Sequence, residues 1–311
     1  MEYLLLIVGF VLLVKCSDIF VEGSSNLAKV LGVPSLIIGL TIVAFGTSAP
    51  EASVSIISAI EGKSGMSVGN VIGSNICNIL LVLGTSSLFH YLKANKQILT
   101  KDFLFMLLSY FILIFLAIDG FTIKFLESHI ARNEGLILLS FLGIYMYSLV
   151  SSLSSNKTKE ERKKFELTDI FKIAFGLIGI IMGGNVVVDA GTMIARSFNV
   201  SEHLIGLTIV GIGTSLPELF TSVTAIKKGE NDIAIGNVIG SNIFNILFIL
   251  GASSVIAPLT ISSTMFNDIM IMLCSGVLVY IFALHKGKIT RKKGIIMLLL
   301  YFLYIIYIIN R

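Results

Sequence analysis

Charge is scarce in this chain: Asp, Glu, Lys and Arg make up only 14% of its 311 residues, against roughly 25% in a soluble domain. Tryptophan is absent, and there are four prolines, three cysteines and four histidines. Cys16, Cys77 and Cys274 fall in separate apolar segments, which argues against a disulfide framework or a zinc cluster. His90, His129, His203 and His285 lie at or near the ends of apolar segments and form neither an HExxH zinc signature nor a buried Ser/His pair. No segment is long and polar enough for a soluble domain. The net charge of +4 fits a bias between two membrane faces better than nucleic-acid binding, so no nucleic-acid partner is expected.

What fills the chain is apolar. Hydrophobic residues are 55% of it, the mean hydropathy is +0.93, and long apolar runs recur. Crossing a bilayer as helix takes roughly 20 residues. The pattern predicts an all-α integral membrane protein with ten transmembrane helices, near 3–28, 35–60, 66–89, 103–119, 134–151, 169–195, 203–226, 233–256, 267–285 and 293–309. Residues 3–14 resemble the apolar core of a signal peptide, but Glu2 precedes them and no small-residue cleavage pattern follows, so they read as the first span.

Within these runs one phrase is written twice. Residues 39–51 read GLTIVAFGTSAPE and residues 206–218 read GLTIVGIGTSLPE; residues 69–80 read GNVIGSNICNIL and residues 236–247 read GNVIGSNIFNIL. Every pair is offset by 167. The chain therefore divides into a five-helix repeat at 1–151, a polar linker at 152–168 and a second five-helix repeat at 169–311. An odd number of spans per repeat makes the second enter the membrane from the opposite side. Inverted-topology repeats with interrupted polar helices at matching positions point to a secondary transporter with a midplane site.

Lysine and arginine give the orientation. Sixteen of the 23 fall on one face, at Lys29, Lys93, Lys96, Lys101, Lys227 and Lys228, within 157–164 and within 286–293. The other face has five: Lys63, Lys124, Arg132, Arg196 and Arg311. Positive loops stay inside, so both termini are expected outside and the 152–168 linker in the cytoplasm.

Glu51 and Glu218 are the residues that demand explanation. A carboxylate at the centre of a membrane helix costs about 3 kcal/mol or more and usually faces a protein interior or an ion pathway. Pro50 and Pro217 immediately precede them, and proline removes a helical donor and frees the carbonyl four residues back. Gly46 and Gly213 loosen the same turn. Backbone oxygens near Ala44, Thr47, Gly211 and Thr214 can then turn toward an ion. Gly69, Gly73, Gly236 and Gly240 read as close-packing glycines. Ser74 with Asn78, and Ser241 with Asn245, each lie one turn apart on one helical face. Calcium takes six to eight oxygens, and two glutamates balance its charge. No thiolate or imidazole cluster favours zinc or copper. The residues alone leave calcium and sodium both open and choose no counter-ion.

At GTSAPE 46–51, GTSLPE 213–218 and the two GNVIGSN segments the chain resembles the calcium/cation antiporter superfamily, most closely its prokaryotic sodium/calcium exchanger branch. That resemblance, which covers essentially the whole length, implies calcium extrusion driven by sodium entry through a site reached alternately from each side of the plasma membrane. It implies that Glu51 and Glu218 bind calcium with the carbonyls of Thr47 and Thr214. Sodium would use Ala44 carbonyl, Ser48, Ser241 and Glu218 in one site, and Gly211 carbonyl, Ser215, Ser74 and Glu51 in another. Asn78 and Asn245 would line the centre, and the first and sixth helices would slide to switch access. Some relatives carry Asp at a central amide position; its absence here argues against potassium dependence. Proton/calcium exchange remains the chief alternative, since both glutamates can take protons.

A passive cation channel is the rival of another class. An intramembrane hydrolase lacks a base for Ser48 or Ser215, so the chain reads as no enzyme. No cofactor beyond the transported ions and no obligatory protein partner are implied; the bilayer is the remaining partner. Asp18, Glu22 and Asp189 read as solvated or salt-bridged groups near helix ends.

Overall fold

A computed structural model describes residues 1–118, 128–155, 166–198 and 211–310. Its helices are α1 (Glu2–Leu31), α2 (Ser35–Thr47), α3 (Ala49–Ile60), α4 (Ser64–Phe89), α5 (Ile98–Ala117), α6 (Arg132–Ser155), α7 (Leu167–Ser197), the single turn α8 (Gly211–Gly213), α9 (Leu216–Lys227), α10 (Asn231–Ile256), α11 (Ser263–Leu284) and α12 (Arg291–Ile309). Among the described residues eight helices are long and apolar enough to cross a membrane, and α2 with α3 forms a further candidate span bent by 48°. The protein is thus a predominantly helical, multi-pass membrane protein. The expected span at 203–226 falls partly outside the described residues, which retain α8 and α9.

Local chemistry sets these boundaries. α1 ends where Gly32 adopts φ 63°, its N–H returning to the carbonyls of Ala28 and Lys29. Glycine takes this left-handed cap without a Cβ penalty. Pro34 then starts α2. α4 and α10 carry π-helical turns at Cys77–Val82 and Asn245–Leu250. Such wide turns recur at functional sites, and here they contain Asn78 and Asn245.

Burial sorts the helices into a centre and a rim. The most apolar stretch of α10 is 94% buried and that of α4 72%, whereas the values for α6 and α12 are 22% and 28%. Outward side chains such as Phe171, Phe175, Phe302 and Leu303 are exposed, as a lipid-facing rim requires. On one side α1 packs along α7 in antiparallel fashion: Gly9 meets Gly183 and Val187, while Gly23 meets Asp169 and Lys172. A Cβ at Gly176 would stand 2.7 Å from the Phe20 nitrogen, so only glycine lets the two backbones approach this closely.

The expectation of a wholly α-helical chain needs one correction. Among the described residues four short strands form two antiparallel ladders: β1 (Leu92–Lys93) with β4 (Lys288–Ile289), and β2 (Ser128–Ile130) with β3 (Leu259–Ile261). These segments leave the helical register between spans, and cross-strand pairing satisfies their backbone groups. β1 and β2 flank α5, and β3 and β4 flank α11. Pairing β1 with β4 and β2 with β3 therefore runs α5 and α11 antiparallel.

Candidate ion-binding site

Two helix breaks build the centre. Ser48 sits at φ −83°, ψ 7° and Ser215 at φ −87°, ψ 3°, in the sparsely populated bridge region. Helix resumes at Ala49 and Leu216, so Pro50 and Pro217 occupy first-turn positions where a missing N–H is tolerated. Glu51 and Glu218 become the third residues of α3 and α9. Each carboxylate thus lies in the first turn of a helix, where the macrodipole favours negative charge.

Both glutamates are 0% exposed, but their partners differ. Glu218 Oε1 accepts from Ser48 Oγ at 3.0 Å and lies 3.4 Å from Ser241 Oγ. Ser241 has one proton to share between that oxygen and the Ala44 carbonyl at 3.3 Å. Glu218 Oε2 and both oxygens of Glu51 have no hydrogen-bond partner among the described residues. The same is true of the hydroxyls of Ser74, Ser215 and Thr214, of both polar atoms of Asn78 and of Asn245 Oδ1. Buried polar groups are normally paired, and an uncompensated buried carboxylate is strongly unfavourable. Oxygen is the donor type that a hard cation prefers, and the Ser74 and Ser215 hydroxyls stand beside Glu51. No group of three or more His, Cys, Asp and Glu side chains that could hold a metal gathers among the described residues; the two acids stand among neutral oxygens.

The predicted residues fare unequally. Ser48 and Ser241 meet Glu218 directly. The Ala44 carbonyl accepts from Ser48 N at 3.1 Å and lies 3.4 Å from Thr47 Oγ1, besides Ser241; it is less freely exposed than the proline break suggested. Thr47 Oγ1 also donates to Asn237 Oδ1 at 3.0 Å. Gly211 opens α8, beside residues that lie outside the described set. Asp18 and Glu22 form partly exposed pairs, Lys228–Asp18 at 3.0 Å and Lys172–Glu22 at 2.7 Å; the pairing was expected, but both lie within α1 (Glu2–Leu31) rather than near its ends. Asp189 is exposed.

The asparagines within GNVIGSN itself, unlike Asn78 and Asn245 just beyond it, carry no role in the sequence reading. Asn70 Nδ2 donates to the Glu51 carbonyl at 3.2 Å and to Ser55 Oγ at 2.9 Å. Asn237 does the same to the Glu218 carbonyl at 3.4 Å and to Ser222 Oγ at 3.0 Å. These two repeat-equivalent brackets fasten α4 and α10 to the glutamate helices. The signal was available: Asn70 lies four residues before Ser74, on the same helical face.

Comparison with known proteins leads to the same place. The family model described as sodium/calcium exchanger protein matches residues 1–151 and 169–310. The putative antiporter CaxA of Alkalimonas amylolytica is 37% identical, covering 94% of each chain. The sodium/calcium exchanger MaX1 of Methanosarcina acetivorans is 32% identical over 98% of this chain and 97% of its own. A solved structure of the sodium-calcium exchanger NCX_Mj, soaked with sodium and calcium, superposes with a TM-score of 0.84 at 33% identity, covering 98% of this chain and 97% of that one. With two buried glutamates at paired helix breaks and a likeness running end to end, this chain belongs to the sodium/calcium exchanger family of cation/calcium antiporters, transporters and not enzymes.

Proposed function

We propose that this protein exchanges calcium for sodium across the plasma membrane by alternating access. The observation that carries the reading is the set of buried, unpartnered oxygens around Glu51 and Glu218. Calcium binds between the two carboxylates, whose charges it cancels, with the carbonyls of Thr47 and Thr214. Sodium ions replace it at Ser48, Ser241, Glu218 and Ala44, and at Ser74, Ser215, Glu51 and Gly211, with Asn78 and Asn245 at the centre. Repeat-equivalent brackets at Asn70 and Asn237, together with the antiparallel runs of α1 with α7 and α5 with α11, support two inverted five-helix repeats, 1–151 and 169–311. Ten spans would place both termini outside and the 152–168 linker in the cytoplasm, in keeping with the lysine and arginine bias.

Calcium-45 flux in proteoliposomes tests this. Uptake is expected when sodium is loaded inside and absent outside, with little response to a proton gradient alone and no need for potassium. Uptake that follows the proton gradient instead assigns the chain to proton/calcium exchange. Flux with no counter-ion at all points to a channel.

A further inference from the structure

The amides of the central asparagines are not equally free. Asn75 lies 3.4 Å through Nδ2 from the Asn242 backbone carbonyl, a group that can only accept. Asn75 Nδ2 also lies 3.6 Å from Met272 Sδ, a weak acceptor. The Asn75 amide is thereby oriented, and its Oδ1 accepts from Asn245 Nδ2 at 3.0 Å. Asn245 must then turn its own oxygen the other way, and that Oδ1 is buried without a partner. One backbone carbonyl thus settles two side-chain orientations in succession.

By the 167-residue offset, the counterpart of the Asn245–Asn75 bond would be Asn78 donating to Asn242. That bond is not made. Asn242 Nδ2 donates to the Val238 carbonyl at 2.6 Å, and its Oδ1 accepts from the Tyr110 hydroxyl at 2.7 Å. Asn78 is left with both polar atoms unpartnered and 0% exposed. The asymmetry comes from outside the duplicated motifs. Asp102, Met106 and Ser109 of α5 match Asp268, Met272 and Ser275 of α11 at a constant spacing, which sets Tyr110 against Gly276. A Cβ on Gly276 would stand 3.0 Å from Tyr110 Cε2, so the glycine leaves room for the ring.

We propose that Asn75 is a positioning residue that holds the Asn245 amide with its oxygen toward the cation, while Tyr110 withholds the same lock from Asn78. The exchanger then offers its cation one fixed and one adjustable amide. This rests on the ion-exchange reading of the site.

The test is the KM for calcium against Vmax in sodium-loaded proteoliposomes. Asn75→Leu keeps the volume but releases Asn245, whose nitrogen can then face the ion; KM is expected to rise about tenfold, the lower end for loss of a partner that orients a metal ligand, with Vmax little changed. In an Asn245→Asp background both side-chain ends are oxygen, so the same substitution should raise KM no further. An equal rise in both backgrounds assigns Asn75 a packing role and overturns the proposal, as does no rise in either. If Asn245→Asp does not turn over, the cycle is read on equilibrium calcium-45 binding. Tyr110→Phe decides independently, should Asn75→Leu fail to fold: it frees Asn242 Oδ1 to accept from Asn78, and preorganising that second amide should lower KM. A raised or unchanged KM there counts against the lock. Absence of calcium flux in the wild type removes the exchange reading itself; intact exchange with unaltered variants removes only this inference.

Discussion

The Glu218 half of the site and the Glu51 half are built from nearly the same words, yet the structure satisfies them unequally and neither fully. Ser48 reaches Glu218 at 3.0 Å, whereas the hydroxyl of its counterpart Ser215 stands beside Glu51 without forming a bond of good geometry among the described residues. Identical motif residues therefore do not give identical half-sites. A carboxylate held by a hydroxyl at good geometry keeps part of its charge compensation without a cation; Glu51, with its helix terminus and only loosely placed serine hydroxyls, keeps less. On the proposed site, Glu51 is then the carboxylate whose burial should be coupled more strongly to cation binding.

The largest effects come from breaking the carboxylates. Glu51→Gln and Glu218→Gln should each reduce sodium-driven calcium-45 flux about a hundredfold or more, the scale of leaving a buried charge without its partner. Full calcium transport in both variants would remove the proposed site. Stability separates them: in ion-free buffer Glu51→Gln should raise the melting temperature more than Glu218→Gln, because it removes the less compensated charge. Calcium should stabilise the wild type by mass action and neither variant.

The serines sharpen the comparison at the next level. Ser48→Ala removes a hydrogen bond to a charged group, worth about 1.5–3 kcal/mol, and should lower the ion-free melting temperature measurably. Ser215→Ala loses no such bond and should leave it unchanged. Both should raise the sodium concentration needed for half-maximal exchange by several-fold. Equal melting temperatures in the two variants would show that the half-sites are satisfied alike.

Much of the centre was legible because its signals are local. A glutamate after a proline in an apolar run, repeated at a constant offset, locates Glu51 and Glu218 without any knowledge of packing. The grouping of Ser48 with Glu218, in the other half, is implied by the resemblance to the antiporter superfamily and not by the residues alone; the structure places the two 3.0 Å apart. Three things lay beyond reach. The interruption of the 35–60 span is foreshadowed by Gly46 and Pro50, but its place at Ser48, where the backbone leaves helical ψ, is not. The two short ladders depend on pairing between segments far apart in the chain, Leu92 with Ile289 and Ser128 with Ile261. The inequality of Asn78 and Asn245 depends on Tyr110, in a helix that carries no motif.

The smallest expected effect lies at the ends of the helices, where the comparison extends to the two repeat-equivalent turns. Lys228 bridges to Asp18 at 3.0 Å and lies 3.9 Å from Glu22, and Ser25 donates to Glu230, so the α9–α10 turn is tied to α1. Counting back 167 residues, the other turn carries Glu61 and Lys63, which pair with each other at 2.7 Å and with exposures of 50% and 62%. One turn is cross-linked to another helix and the other is closed on itself. Exposed pairs contribute only about 0–1 kcal/mol, so Lys228→Gln should lower thermal stability slightly and Lys63→Gln not at all. Salt screens such pairs, and the gap between the two variants should close as ionic strength rises. A gap that survives high salt would mean that Lys228 acts through its 2.9 Å hydrogen bond to the Asp18 carbonyl, a contact screening does not remove, and would place the tie in the backbone of α1 rather than in its charges.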